Sequence, residues 1–191
     1  MCIRDSIRAV ENEILSSKIC RCFDCRQVLY EESMFDGQKV SKSRIITSVD
    51  YSMVSMEAFE IYATNHDIHV MDFVLKLDAY SYYMMNLLDY LIGNTDRHWG
   101  NWGFLVDNRT NQPVRLFDLM DLNQTFLAYD TPDGANCMTT GNRKMSQREA
   151  AVEAVKNIGL NQKDEIKDEW FKGREKEREM FWCRFGILKE Q

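Results

Sequence analysis

The stretch Leu88-Asp89-Tyr90-Leu91-Ile92-Gly93-Asn94-Thr95-Asp96-Arg97-His98-Trp99-Gly100-Asn101-Trp102-Gly103-Phe104-Leu105 decides how this chain is read. It leaves an apolar segment, passes through a polar knot and enters a second apolar run. The knot places Asn94, Asp96, Arg97, His98 and Asn101 within eight positions. Polar groups gathered in a connection between two buried elements are where a scaffold presents chemistry. A lone Asp or Asn more often ties a turn, and a lone His is more often structural. Asp96, His98 and Asn101 at these spacings, between two apolar runs, favour a reactive loop.

Before the knot, His66 to Ile92 is apolar on more than one helical face, which predicts a long helix buried inside the domain. After it, Trp102–Val106 and Val114–Leu119 bracket a turn-rich Asp107–Pro113 segment and predict a hairpin. Further upstream, Val10, Ile14, Leu15 and Ile19 recur at helical spacing over Ala9 to Cys22, a helix carrying Glu11 and Glu13. Arg26–Glu32 and Lys39–Thr47 flank Asp36-Gly37 and read as another hairpin. Thr47 to Ala63 is expected to hold a short helix or two. Downstream, Ser146-Gln147-Arg148-Glu149 is a capping box opening a helix that Gly159 ends, and Asn161 is expected to cap the last helix. The charge run Lys172–Glu179 reads as a solvated helical face.

The chain has 191 residues, 45% of them hydrophobic, with only two prolines, enough for an ordered domain with its own core. A net charge of -6 argues against nucleic-acid binding, which needs a basic footprint. Asp72, Lys76, Asp78, Asn86 and Asp89 break the most apolar stretch, so no membrane span is expected. No secretory signal is recognisable, and the expected compartment is the cytoplasm. The six cysteines then read as reduced thiols. Cys20, Cys22 and Cys25 invite a zinc reading, but no fourth ligand follows at a suitable spacing. Met1 to Ser6 is what ATG TGT ATA AGA GAC AGY encodes, which resembles the end of a sequencing-library transposon adapter. Residues 1–6 are therefore expected to be adapter-derived, with the protein proper continuing upstream of Ile7.

An Asp followed five positions later by an Asn is an order used in phosphoryl transfer, where the Asp accepts a hydroxyl proton and the Asn helps hold Mg²⁺. Asp96-Arg-His-Trp-Gly-Asn101 resembles the catalytic loop of phosphoinositide-type kinases. Extended to Ile92-Gly-Asn-Thr-Asp-Arg-His-Trp-Gly-Asn101, with Phe104-Leu-Val behind it, it is more similar to that of the HipA-like serine/threonine kinases. The resemblance covers most of Ala9 to Phe126. It implies an α+β, protein-kinase-like fold: a partial, β-containing N-lobe over residues 7–50 and a mainly helical C-lobe over 51–191.

The resemblance also implies roles. Asp96 would be the catalytic base, with His98 ordering the loop beside it, and Asn101 would bind Mg²⁺. Glu13 would match the glutamate that pairs with the ATP-binding lysine. For the second metal ligand Asp118 and Asp121 both qualify, and the residues around Asp121 are the more HipA-like. ATP and Mg²⁺ are the implied cofactors. A protein Ser/Thr hydroxyl is the implied acceptor, and some family members are toxins held by an antitoxin partner. The chain departs from the family at its amino end: no glycine-rich loop and no lysine-bearing strand precede Glu13. An amino-terminally truncated, weakly active fragment is therefore expected. The alternatives are a lipid or small-molecule kinase and an inactive kinase-like binding or regulatory module.

Overall fold

The computed structural model describes residues 7–127, 129–141 and 143–191; the expected adapter residues 1–6 lie outside them. Helix α1 (Ile7–Cys20) comes first, and it is buried on more than its apolar face. Val10, Ile14, Leu15 and Ile19 enter the core as their spacing predicts, but Asn12, Glu13, Ser16 and Ser17 are buried too. Their partners explain this. Asn12 donates to the Thr125 carbonyl at 2.8 Å, and the Ser16 hydroxyl donates to that of Thr125 at 2.8 Å. Buried polar groups persist where such bonds replace water.

Strands β1 (Glu31–Phe35) and β2 (Gln38–Lys42) form an antiparallel hairpin in which Phe35 faces Gln38. Asp36 and Gly37 sit at φ 48° and 74°, the left-handed pair a two-residue hairpin turn requires. Both strands are shorter than the sequence suggests. Residues 26–28 instead pair with Leu119: its N–H donates to the Arg26 carbonyl, and its carbonyl accepts from the Val28 N–H.

The helical expectation for residues 47–63 holds only in part. Strand β3 (Tyr51–Ser55) precedes α2 (Met56–Asn65), whose N-cap is Ser55. β3 joins β4 (Gly103–Asp107) and β5 (Gln112–Leu116) in an antiparallel sheet of order β3-β4-β5. Its five residues are all half-buried, so no alternation announces it. Pairing with β4 creates the strand. Gly103 permits the approach, since a Cβ there would lie 2.1 Å from the Val54 carbonyl oxygen.

Helix α3 (Val70–Ile92) is the expected long helix, but it breaks at Asp78, where φ is -156° and ψ 63°. The Asp78 carboxylate accepts from Arg26 at 2.5 Å and from the Leu116 N–H at 3.1 Å, bonds that hold the kink against β5. Beyond it, Met84 to Ile92 is buried without interruption. Gly93 ends the helix in the left-handed region at φ 60°.

Helix α4 (Gln147–Ile158) opens with the expected capping box and packs on α3. Asn161 does not cap the last helix. It lies at φ 51°, and its side chain donates back to the Ile158 carbonyl, closing α4. A 3₁₀ turn (Asp168–Phe171) comes next, and α5 (Glu175–Lys189) begins well downstream. The solvated reading of residues 172–179 also needs correction at Arg174. This residue is buried, donates to Asn12 at 2.8 Å and to Glu11 at 3.3 Å, and sits 5.7 Å from the Phe126 ring centroid.

Cys20, Cys22, Cys25, Cys137 and Cys183 are free thiols. Cys25 donates to the Cys20 carbonyl at 3.2 Å and Cys22 to the Lys18 carbonyl at 3.6 Å. Among the described residues no helix is long and apolar enough to cross a membrane.

Two predictions follow from packing. Gly93→Ala forces a left-handed alanine whose Cβ would lie 2.2 Å from the Tyr129 ring, so urea denaturation should show a loss of roughly 2–4 kcal/mol. Burial, reinforced by the neighbouring Asp24 carboxylate, pushes the Cys25 thiol up to about 12, and burial raises Cys20 as well. Thiolate is the reactive form, so a disulfide reagent at pH 8 should label exposed Cys183 at least ~10-fold faster than either, read by peptide mass mapping.

Candidate active site

The reactive-looking loop is held by a carboxylate that its helix buries. Asp89 lies in the last turns of α3 with apolar neighbours on both sides. A carboxylate there needs a cationic partner, and Arg97 provides it. Its Nε donates to Asp89 Oδ2 at 2.8 Å and its Nη2 to Oδ1 at 3.1 Å, a two-pronged pair with both side chains buried. Burial pulls the Arg97 pKa down, but the charge and hydrogen bonds of Asp89 outweigh it and raise the net value. The guanidinium therefore stays charged.

Arg97 Nη1 also donates to the carbonyls of Asn101, at 2.8 Å, and Met120, at 2.7 Å. One side chain thus ties the end of α3, the far end of the loop and the segment between Asp118 and Asp121. Asn94 adds a second strut: its amide donates to Asp89 Oδ1 at 2.9 Å, and its side-chain oxygen accepts from the Asp96 N–H at 3.1 Å. Gln147 at the start of α4 donates to the Asn94 carbonyl from below.

On this frame the three loop residues named from the sequence come together. The Asp96 side chain is 43% exposed, and its carbonyl accepts from the Asn101 amide at 2.8 Å. One Asp96 carboxylate oxygen lies 3.4 Å from that amide and the other 3.8 Å from His98 Nε2. His98 is exposed, and its Nδ1 accepts from the Gly100 N–H at 3.0 Å. That bond fixes a local turn of the loop, alongside the wider anchoring by Arg97 and Asn94.

The other candidates fall into two neighbourhoods. Glu13 is buried on α1 and accepts from the Ser41 hydroxyl of β2. Near it is Tyr30, whose ionisation is pushed upward by burial first and then by the Glu13 and Asp121 carboxylates. The Tyr30 hydroxyl accepts from the Asp121 N–H at 3.1 Å, with Asp121 in the left-handed region at φ 55°. Asp118 stands apart from this group. Its carboxylate accepts from Arg115 at 2.5 Å, and it lines two cavities. One, of about 190 Å³, also reaches Asn101; the other, of about 700 Å³, lies along Val28, Leu29 and the Lys42–Ile46 segment.

Asp89, Arg97, Asn94 and Gln147 escaped the sequence reading as site residues. The signal for the first two was available: a carboxylate inside Leu87-Leu88-Asp89-Tyr90-Leu91-Ile92 implies a buried counter-charge, and Arg97 is near in sequence. Gln147 and the Tyr30 contact carry no such signal, because chain folding alone brings them to the site.

This arrangement, a small β-hairpin on a helix followed by a helical body with a polar loop leading into a second hairpin, is a kinase-like α+β fold. It is similar to the solved structure of a Helicobacter pylori proinflammatory kinase, CtkA, with a TM-score of 0.70 over 96% of this chain and 81% of that one. At 13% identity the likeness concerns the fold. No protein-family profile matches the chain, and no curated protein sequence does.

Removing one partner of a buried ion pair leaves the other charge stranded. Arg97→Met should cost roughly 3–5 kcal/mol in urea denaturation, and adding Asp89→Leu should recover most of that loss. Equal destabilisation by the single and double variants would contradict the role given to this pair.

Proposed function

We propose that the chain is an ATP-dependent kinase of HipA-like type that transfers the γ-phosphoryl group to a Ser or Thr hydroxyl, with a protein as acceptor. The observation that carries this reading is the Asp96–Asn101 contact, an exposed carboxylate held beside an amide on a loop that Arg97 makes rigid. The kinase-like fold supports it. The wide cavity suits the nucleotide, with the base against Val28, Leu29 and Ile46 and the phosphates toward Asp118.

The donor set suits Mg²⁺: an amide oxygen from Asn101 and a carboxylate from Asp118 are hard oxygen ligands. Among the described residues no cluster of three or more His, Cys, Asp or Glu could hold a metal. A cation that keeps its waters and takes phosphate oxygens needs no such cage. When bound, Mg²⁺ neutralises the charge that builds on the transferred phosphoryl group. We assign the carboxylate ligand to Asp118, because it lines both cavities and shares the smaller one with Asn101. This reverses the preference drawn from the flanking sequence.

In the transfer, Asp96 accepts the proton of the acceptor hydroxyl as its oxygen approaches the γ-phosphorus. The bond from that phosphorus to the β,γ-bridging oxygen breaks, and ADP leaves with the charge.

Calorimetry of ATP with and without Mg²⁺, paired with phosphate incorporation into a Ser/Thr peptide library, tests the proposal. Asp118→Asn should abolish the Mg²⁺-dependent part of binding, and Asp121→Asn should reduce it less. Asp96→Ala should leave binding intact and lower incorporation by roughly 10²–10⁴-fold. No Mg²⁺-dependent ATP binding would sink the nucleotide reading, and equal incorporation by Asp96→Ala and wild type would sink the kinase reading.

A further inference from the structure

The smaller cavity touches the proposed metal site at one end, where Asn101 and Asp118 line it beside Arg97, but the rest of it is apolar and has no part in the transfer just described. It lies between the buried half of α3 and the chain leaving β5, and it shares only Asp118 with the wide cavity. Met84, Met85 and Leu88 of α3 line it together with Trp102, Leu116 and Leu119. Two thioethers and an indole among aliphatic side chains suit an aromatic ring, through sulfur–ring and ring–ring contacts. At about 190 Å³ it is somewhat larger than cavities of ~150 Å³ that take up benzene, so it has room for one ring with a small substituent and none for a nucleoside.

The rim is polar. Arg26 donates to the Ser81 hydroxyl and to Asp78, each at 2.5 Å, and Arg26 and Ser81 both line the cavity. A ring substituent that can both donate and accept a hydrogen bond finds partners there. We propose that this cavity binds a small phenolic compound, ring inward and hydroxyl at the Arg26–Ser81 rim, and that its occupancy is coupled to the Asp118 site. The coupling has a structural route. Leu119 lines the cavity and is hydrogen-bonded on both sides to residues 26 and 28, so a ligand pressing on it strains the backbone adjoining Asp118. This second part rests on the nucleotide-site reading given above; the first does not.

The probes are p-cresol and toluene, which differ by the hydroxyl, titrated into the full chain and followed by methionine-methyl and tryptophan-indole NMR. p-Cresol is expected to shift the Met84, Met85 and Trp102 signals saturably at millimolar concentration, with toluene at least ~3-fold weaker. Ser81→Trp, which fills the rim, should weaken p-cresol at least ~10-fold. Absence of those shifts in the wild-type chain overturns the site whether or not the variant folds, as does undiminished binding by a folded Ser81→Trp. Saturating Mg²⁺-ATP should change the p-cresol dissociation constant at least ~3-fold, and reciprocally. An unchanged constant with ATP bound overturns the coupling alone, whereas failure to bind ATP counts against the nucleotide reading and leaves the cresol site standing.

Discussion

The Arg97–Asp89 pair is the constraint on which the polar loop depends. Its two prongs are satisfied by one carboxylate, and the remaining nitrogen reaches carbonyls from two other stretches of chain. A lysine could not do this, since its single ammonium cannot bridge a carboxylate in parallel and still project sideways in a plane. Rigidity at Arg97 is what allows Asp96 to stay exposed. The loop has its anchoring groups inside and its reactive group outside, and Asn94 and Gln147 extend the same division of labour toward α4.

A second polar network governs the other half of the molecule. Asn12 and Ser16 on α1 bond to Thr125, and Arg174 at the head of α5 closes over Asn12. The Thr125 hydroxyl in turn donates to the Leu122 carbonyl at 2.8 Å. Because these groups are buried, separating α1 from the Asp121–Phe126 segment would expose several unsatisfied donors and acceptors at once. The helix that carries Glu13 is accordingly fastened to both the segment after β5 and the carboxyl-terminal helix. Arg184 plays a similar part for the next stretch, donating to the Tyr90 and Thr131 carbonyls and lying 4.6 Å from the Tyr129 ring centroid.

Polar residues are where the sequence was hardest to read, for a physical reason. Periodicity registers apolar faces, so α1, α3, α4 and both hairpins could be located from spacing and turn chemistry. Residues such as Glu13 and Arg174 look solvent-facing by that criterion, yet both are buried because distant segments complete their hydrogen bonds. β3 was missed on similar grounds, since a strand half-buried along its length shows no alternation and exists by virtue of its neighbour β4.

By itself, the sequence determined the order of elements apart from β3, the Asp36-Gly37 turn, the Ser146 capping box and the spacing that groups Asp96, His98 and Asn101 on one loop. All of these are local, set by backbone propensity, capping and short-range geometry. Tertiary structure alone decided which charges are paired inside, where α3 breaks, and which acidic residue faces which cavity. Asp118 and Asp121 are three positions apart and chemically identical. Asp118 lines the wide cavity, whereas at Asp121 the backbone turns through a left-handed conformation that aims its N–H at the Tyr30 hydroxyl, beside the Met120 carbonyl that Arg97 holds.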